Sequence, residues 1–142
     1  MGCERRCRLI YQVNIQGKLL HILSAHAHWV NTMSLSTDFV IRTGSFDHTG
    51  QISATFEEAT KRALDRYRKA RRDAGGDAER LITGSDDFTM FLWDPEKSTK
   101  PLGRLTGHQK LINHVSFSPD GRLIASASFD NSVKLWDGRD GK

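Results

Sequence analysis

Apolar and polar residues alternate in three short runs near the end of the chain, between Gly107 and Asp137. Alternation with a period of two over four to eight residues is typical of half-buried β-strands. The runs cover residues 111–117, 123–128 and 133–136, and the turn sequence Ser-Pro-Asp-Gly at 118–121 separates the first two. The pattern therefore predicts three consecutive strands that are joined by short turns.

This stretch opens with Gly-His and closes with Trp-Asp, a frame that resembles a WD repeat, the unit of one propeller blade. In that family a His, a Ser, an Asp and a Trp form one hydrogen-bonded chain, because buried polar groups need partners. By position these residues are His108, Ser128, Asp130 and Trp136. A Ser, a His and an Asp could also suggest a catalytic triad, but the WD frame gives all three a structural role.

A second, weaker copy of the frame begins at Ala25-His26. Its strand-like residues 28–36 are followed by the matching sequence LITGSDDFTMFLWD only from Leu81 onwards. By position, the polar chain of this blade is predicted to consist of His26, Ser85, Asp87 and Trp93. His26 precedes His108 by about twice the length of one repeat, which is about 40–45 residues. The interval therefore holds either an additional eroded blade or one blade with a long insertion.

The composition of residues 56–80 favours the insertion. Glu, Lys, Arg and Ala dominate this stretch, which has high helix propensity and lacks a β-branched run. Apolar residues recur at helical spacing, and two glycines at 75–76 are expected to end the element. We predict a helix that packs on the blade through Phe56, Ala63 and Tyr67. Residues 39–46 are also strand-like and compete with 81–87 for the second strand, but only 81–87 places Ser85, Asp87 and Trp93 in register.

These patterns predict an all-β fold: a WD40 β-propeller fragment of about two blades plus part of a third, with one inserted α-helix. Residues 1–8 are predicted to form a ragged N-terminus, and residues 9–24 the outer strands of a preceding blade. Residues 25–106 are predicted to form a WD blade with the helical insertion at about 48–80. Residues 107–142 are predicted to form a WD blade that lacks its outer strand.

Two groups of residues are candidate interaction sites. Short loops on rigid blades place side chains around the top of the central channel of a propeller. These top-face candidates are Trp29, Asn31, Asp86, Leu111, Asn113 and Phe129, and Trp29 could equally pack between blades. The inserted helix carries a candidate basic face for phosphate contacts, made of Arg66, Arg68, Arg71 and Arg72. The alternative is that these arginines form an ordinary solvated surface.

The bulk composition narrows the function further. No apolar run approaches the 18 residues of a membrane span, so no membrane partner is expected. Cys3 and Cys7 are the only cysteines, and their spacing fits neither a redox pair nor a zinc site. The net charge of +4 is only mildly basic. The sequence shows no nucleophile elbow, paired-carboxylate cleft or metal cluster. We therefore expect no cofactor, no metal and no enzyme activity.

Residues 17–142 resemble the Notchless-type WD-repeat proteins, most specifically in the segment SDDFTMFLWDP and in the helical insertion of this blade. The resemblance implies an eight-bladed, non-enzymatic scaffold in assembly of the large (60S) ribosomal subunit, in the nucleolus and nucleus. Candidate partners are pre-60S ribosomal proteins and rRNA. In that family a ubiquitin-like domain binds a midasin-type AAA ATPase, and no residues of this chain match that domain. The alternative function is a general WD-repeat adaptor in a ubiquitin ligase or a signalling complex, including a Notch-related one.

Overall fold

The computed structural model describes residues 9–14, 16–46, 49–50, 52–73 and 78–142. The prediction of a ragged start at residues 1–8 and the glycines at 75–76 lie outside the described residues. Within the described part, no helix is long and apolar enough to span a membrane.

The described chain folds into three antiparallel sheets and two helices. The first sheet pairs β1 (Leu9–Val13) with β2 (Leu19–Ser24). The second has the order β3 (Val30–Leu35), β4 (Leu81–Ser85), β5 (Met90–Trp93) and β6 (Gly103–Leu105). The third has the order β7 (Ile112–Phe117), β8 (Leu123–Ser128) and β9 (Val133–Asp137). The helices α1 (Asp38–Thr43) and α2 (Phe56–Asp73) both lie between β3 and β4 in the chain.

The second sheet settles which residues form the second strand of the middle blade. Strand β4 pairs with β3 from Val30 opposite Ser85 to Leu35 opposite Leu81. Most of the competing stretch 39–46 forms α1 instead, so the structure contains two helices where one was predicted. The helix α1 has Asp38 in its first turn and Arg42 in its last, 3.0 Å apart as an ion pair. That charge order suits the helix dipole and favours the helical conformation of this stretch.

The longer helix α2 begins with a capping box. The amide of Glu58 donates to Thr55 Oγ1 at 3.2 Å, and Glu58 Oε2 accepts from the Ala54 amide at 3.2 Å. The helix packs through its second half, where Ala70 is buried and Tyr67 is half-buried. The prediction that Phe56 packs on the blade is wrong, because its side chain is 86% exposed. Phe56 is the first residue of α2 and precedes the turns that pack on the rest of the fold.

The two central strands of the middle sheet, β4 and β5, are buried on both faces, because a sheet lies on each side of them. All residues of β4 and β5 are buried. One face joins the third sheet in a cluster of Ile82, Met90, Leu92, Leu105, Ile112, Val115, Phe117 and Ile124. The other face packs towards the first sheet in a cluster of Leu23, Leu81, Phe91 and Trp93. Adjacent residues of β4 and β5 point to opposite sides, so their continuous apolar character reflects burial from two directions.

The strands β3 and β7 run side by side in the same direction. Asn31 Nδ2 donates to the Ile112 carbonyl at 3.1 Å, and the Val115 amide donates to Thr32 Oγ1 at 3.3 Å. This alignment gives the two blades common ends. We call the end with residues 25–29, 86–89, 107–111 and 129–132 the top face. The opposite end, with the described residues of the insertion between 36 and 80 and the turn at 118–121, is the bottom face.

The outer edge of β9 has no partner strand among the described residues. The side chains of Val133 and Leu135 on this strand are mostly exposed. The third sheet accordingly has three strands, whereas the middle sheet has four.

Candidate functional site: polar chains of the blades and the surfaces around them

A chain of polar side chains crosses the middle blade. His26 Nδ1 lies 3.0 Å from Asp87 Oδ2, and His26 Nε2 lies 2.8 Å from Thr83 Oγ1. The indole Nε1–H of Trp93 donates to the same hydroxyl oxygen at 2.9 Å. With Nδ1 donating to the carboxylate, Nε2 is the acceptor, so the Thr83 hydroxyl donates to it and accepts from the indole. Every hydrogen-bonding group of this chain has a partner.

The third sheet repeats the arrangement with nearly the same geometry. His108 Nδ1 lies 2.8 Å from Asp130 Oδ2, and His108 Nε2 lies 2.8 Å from Ser126 Oγ. Trp136 Nε1–H donates to Ser126 Oγ at 2.8 Å. The structure therefore brings together the predicted His, Asp and Trp of both blades, in each case through a hydroxyl other than the predicted one.

The predictions that Ser85 and Ser128 supply this hydroxyl are wrong. Ser85 Oγ accepts from the Asp87 amide at 3.2 Å, and Ser128 Oγ donates to the Leu111 carbonyl at 2.8 Å. These two serines instead support the turns of the top face.

The pairing register explains the difference. Trp93 lies opposite Leu81 and Trp136 opposite Ile124, so each indole reaches the diagonal neighbour two residues further along the partner strand. That neighbour is Thr83 in one blade and Ser126 in the other. A strand period of two places residues 83 and 85 on the same face, and both hydroxyl positions recur in both repeats. Neither the period of two nor the recurrence of both positions could show which of the two hydroxyls joins the histidine to the tryptophan. Only the register of the paired strands shows it.

The two aspartates anchor the loops of the top face. Asp87 Oδ2 also accepts from the Ala27 amide at 2.8 Å, and Asp87 Oδ1 accepts from the Thr89 hydroxyl at 2.6 Å. Asp130 makes the equivalent bonds to the Gln109 amide at 3.0 Å and the Ser132 hydroxyl at 2.6 Å. Each carboxylate thereby ties the loop before the first strand to the turn after the second.

These contacts shift three pKa values. Burial raises the pKa of Asp87, but hydrogen bonds from Thr89, from the Ala27 amide and from His26 outweigh it, so the pKa lies below its ordinary value. Hydrogen bonds from the Ser132 hydroxyl and the Gln109 amide hold the pKa of Asp130 far below its ordinary range. Burial lowers the pKa of His26, and the bond to Asp87 offsets this only in part. The middle blade therefore holds an ionised Asp87 against a neutral His26.

The polar chains are largely buried and their hydrogen bonds are satisfied within the blades, as is usual for polar groups in a packed core. The hydroxyls of Thr83 and Ser126 are buried and already engaged by a histidine and an indole. A substrate has no access to them in this arrangement. Among the described residues, no three His, Cys, Asp or Glu side chains come together in a manner that could hold a metal ion.

The top-face candidates lie on two neighbouring blades. On the middle blade, the Asp86 amide donates to the Trp29 carbonyl at 3.0 Å, and Asn31 Nδ2 donates to Asp86 Oδ1. On the next blade, the Phe129 amide donates to the Leu111 carbonyl at 3.1 Å. Asn31 also donates to the carbonyl of Ile112, which links the two blades at this face. The remaining candidate, Asn113, is exposed.

The aromatic side chains of this face are open to solvent. Trp29 is 51% exposed and Phe129 is 57% exposed, so in the described structure Trp29 does not pack between blades. His28 also belongs to this face, although the sequence pattern did not single it out. Its ring lies 5.3 Å from that of Trp29, and its Nδ1 lies 3.5 Å from Asp86 Oδ2. Because His28 directly precedes Trp29 in the sequence, it could have been included among the candidates for this face. His28 therefore lies between the exposed indole and the carboxylate of Asp86.

The predicted basic face of the helix is divided by the structure. Arg66 turns inward, where its guanidinium donates to the carbonyls of Gly44 and Phe46 and to Thr43 Oγ1. Arg71 binds the carboxylate of Glu96 with distances of 2.8 and 3.0 Å. The carbonyls of Gly44 and Phe46 follow the end of α1 and lie outside its hydrogen-bond ladder, so they are available to a guanidinium. The prediction that all four arginines face solvent is therefore wrong for Arg66 and Arg71.

Comparison with known proteins agrees with this architecture. Residues 17–52 and 99–137, together more than half of the chain, match the family described as WD domain, G-beta repeat. The unmatched interval between them includes the longer inserted helix.

Several relatives share most of this chain. It is 63% identical to Ribosome assembly protein 4 of Saccharomyces cerevisiae over 130 residues, which are 92% of this chain and 25% of that protein. It is 60% identical to the Notchless protein homolog of Arabidopsis thaliana over 97 residues, 68% of this chain and 20% of that protein. It is 45% identical to Protein Notchless of Drosophila melanogaster over 112 residues, 75% of this chain and 22% of that protein. The chain spans a quarter or less of the length of these relatives, and it belongs to the WD-repeat family as a propeller fragment of the Notchless type.

Proposed function

We propose that this chain is part of a non-enzymatic scaffold that assists assembly of the large (60S) ribosomal subunit by docking on pre-ribosomal particles. The observation that carries the proposal is the 63% identity over 92% of the chain to a protein named for ribosome assembly. Such a role takes place in the nucleolus and nucleus. Contact with a midasin-type ATPase would belong to a ubiquitin-like domain, which none of the residues of this chain resembles.

The top face is the surface that suits docking best. Its exposed aromatic residues, Trp29 and Phe129, stand on loops that carboxylates and backbone hydrogen bonds fix to the blades. Aromatic side chains with little freedom to reorient are frequent anchors in protein interfaces. Ribosomal proteins of the particle are therefore the partners proposed for this face.

Co-sedimentation tests the proposal in the full chain. A tagged full-length protein is expected to migrate with large-subunit precursor rRNA in a sucrose gradient, and the pair Trp29→Ala and Phe129→Ala is expected to shift it towards free protein. Phe56→Ala is the matched control, because it removes an exposed aromatic ring at the bottom face. Absence of the parent protein from precursor fractions would contradict the assembly role and favour the general adaptor. Normal migration of the double variant would contradict docking through the top face.

A contact with rRNA is proposed only for the two predicted arginines that remain at the surface. Arg72 is exposed, and within the described part of the chain Arg68 makes only an exposed ion pair with Asp65 at 3.7 Å. Contacts of this kind to phosphates weaken steeply with salt. The double variant Arg68→Glu and Arg72→Glu should therefore reduce co-sedimentation more at low salt than at physiological salt, where the phosphate contacts of the parent are already weakened. An equal amount of precursor rRNA with parent and variant at both salt concentrations would exclude this contact.

A further inference from the structure

A groove of about 510 Å³ opens on the bottom face, between the two inserted helices and the turn at 118–121 of the next blade. Phe39 and Val40 of α1 and Ala70 of α2 form its apolar floor, and Pro119 lines it from the neighbouring blade. The volume is in the range of pockets that hold a few side chains of a ligand. It combines the insertion with a second blade, so neither unit forms it alone.

Two opposite charges on α2 line this groove. Lys69 and Asp73 are four residues apart, a spacing that brings their Cβ atoms to within about 5–6 Å. Neither side chain makes a hydrogen bond or an ion pair in the part of the chain that the structure describes. Asp120 across the groove is different, because it accepts from the Ser118 hydroxyl and the Arg122 amide. The charges available to a partner therefore alternate in sign along one side of an apolar floor.

We propose that this groove binds a segment of a partner protein that combines an apolar anchor with two opposite charges. The anchor lies on Phe39, Val40 and Ala70, while an acidic residue of the segment faces Lys69 and a basic residue faces Asp73. Two charges one helical turn apart match the spacing of the same pair on α2. The apolar floor of the groove and the order of its two charges together determine which segment binds.

The same features disfavour nucleic acid at this groove. Phosphates gain from clustered cations, but here Lys69 lies next to Asp73, whose carboxylate has no partner among the described residues. An apolar floor also offers nothing to a phosphate backbone, whereas it stabilises a buried aliphatic or aromatic side chain. The groove lies at the opposite end of the strands from Trp29 and Phe129. It can therefore be occupied whether or not the top face docks on a pre-ribosome.

A photo-crosslinker in the groove tests the proposal. Phe39 is replaced by p-benzoylphenylalanine in the full chain, irradiated in cells, and the attached peptide is sequenced by mass spectrometry. The side chain at this position is about half exposed, so the replacement adds a similar aromatic group without disturbing the core. The expected product is a protein segment with an apolar residue flanked by one acidic and one basic residue.

A charge swap gives the decisive comparison. Lys69→Asp with Asp73→Lys preserves net charge and should reduce crosslinking about tenfold or more, because each new charge meets a like charge on the segment. Lys61→Asp with Asp65→Lys is the matched control: the same pair at the same spacing on the solvent side of α2, away from the 510 Å³ groove. The control should crosslink as the parent does.

Binding of a synthetic peptide separates recognition from folding. The crosslinked segment is labelled, and its affinity is measured by fluorescence anisotropy for the parent and the groove variant, together with a peptide in which its two charges are exchanged. The proposal requires the preference to invert, with the exchanged peptide binding the groove variant better. Crosslinks to RNA, absence of crosslinks, equal loss in both swaps, or an unchanged preference would each overturn it. Co-sedimentation with precursor rRNA is measured separately, so failure here leaves the assembly role intact.

Discussion

At the scale of single residues, each blade depends on one hydroxyl that a histidine and a tryptophan share. Thr83 in the middle blade and Ser126 in the next are buried, and each bonds two rings. Loss of such a hydroxyl leaves a buried indole N–H without an acceptor. A buried donor or acceptor without a partner costs about 1–3 kcal/mol.

Replacement of Thr83 should therefore lower stability much more than replacement of Ser85. Thr83→Val keeps the shape of the side chain and should reduce the free energy of unfolding of the full chain by about 1–3 kcal/mol. Thr83→Ser, which keeps the hydroxyl, and Ser85→Ala should have smaller effects. Denaturant titration of the three variants measures the order. A larger loss for Ser85→Ala than for Thr83→Val would show that the hydroxyl has been assigned to the wrong residue.

The buried His26 should make stability depend on pH. Burial lowers the pKa of His26 in the folded chain below its ordinary value of 6.5, so the unfolded chain takes up the proton first. The stabilisation is complete above pH 6.5 and is lost as the pH falls below it. Melting temperatures of the full chain between pH 7.5 and 5 should fall more steeply for the parent than for His26→Gln. This window lies above the ordinary pKa of aspartate, so protonation of Asp87 does not contribute. Parallel curves for the two proteins would contradict the expected role of His26.

At the scale of elements, one arginine holds the two inserted helices together. Arg66 of α2 donates to carbonyls at the end of α1, at 2.5 Å for that of Gly44, and to Thr43 Oγ1 at 3.0 Å. Hydrogen bonds that involve a charged group contribute about 1.5–3 kcal/mol. The short helix α1 has no side-chain hydrogen bond at its N-cap, so this contact is an important part of its support.

Substitution of Arg66 should loosen α1 without unfolding the blades. Arg66→Met keeps most of the aliphatic length but removes the donors, and amide hydrogen exchange of residues 38–46 should become about tenfold faster or more. Arg68→Met on the same helix is the control, because the Arg68 side chain makes an exposed ion pair and no other polar contact among the described residues. Equal protection of α1 in both variants would indicate that Arg66 does not hold this helix.

At the scale of the whole molecule, the two blades pack closely together at a glycine. A Cβ atom at Gly84 would lie 2.8 Å from Ile112 Cγ2, 3.0 Å from Thr32 Cγ2 and 3.2 Å from Val115 Cγ1. Ile112 and Val115 belong to the next blade, and both are fully buried in the cluster between the sheets. The absence of a side chain at position 84 therefore allows β4 to pack against β7.

Gly84→Ala should consequently separate the blades. Overpacking of a dense interface costs about 1–3 kcal/mol, so the melting temperature of the full chain should fall. Gly103→Ala is the matched control, because its Cβ would meet only the Asp140 carbonyl at an ordinary 3.4 Å. Similar melting temperatures for the two variants would show that the interface adjusts to the extra methyl group.

Local sequence patterns were sufficient for several features of the fold. Alternation with a period of two identified the three strands β7, β8 and β9, and helix propensity identified the insertion at α2, because both depend on neighbouring residues. The Gly-His and Trp-Asp frames placed His108 and Trp136 on one blade. The conformation of 38–43 was not accessible in this way, since the capping charges of α1 compete with an equally apolar strand pattern.

The sequence by itself determined which residue types build each blade, because the same spacing of polar and apolar residues occurs twice and requires the same buried partners. Only the tertiary structure decided which hydroxyl joins His26 to Trp93, because strand register selects Thr83 from two residues on one face. It also turned Arg66 inward, because the carbonyls of Gly44 and Phe46 that its guanidinium binds come from a separate segment of the chain. The groove between the insertion and Pro119 likewise joins residues that are distant in sequence, and no local pattern of either segment specifies it.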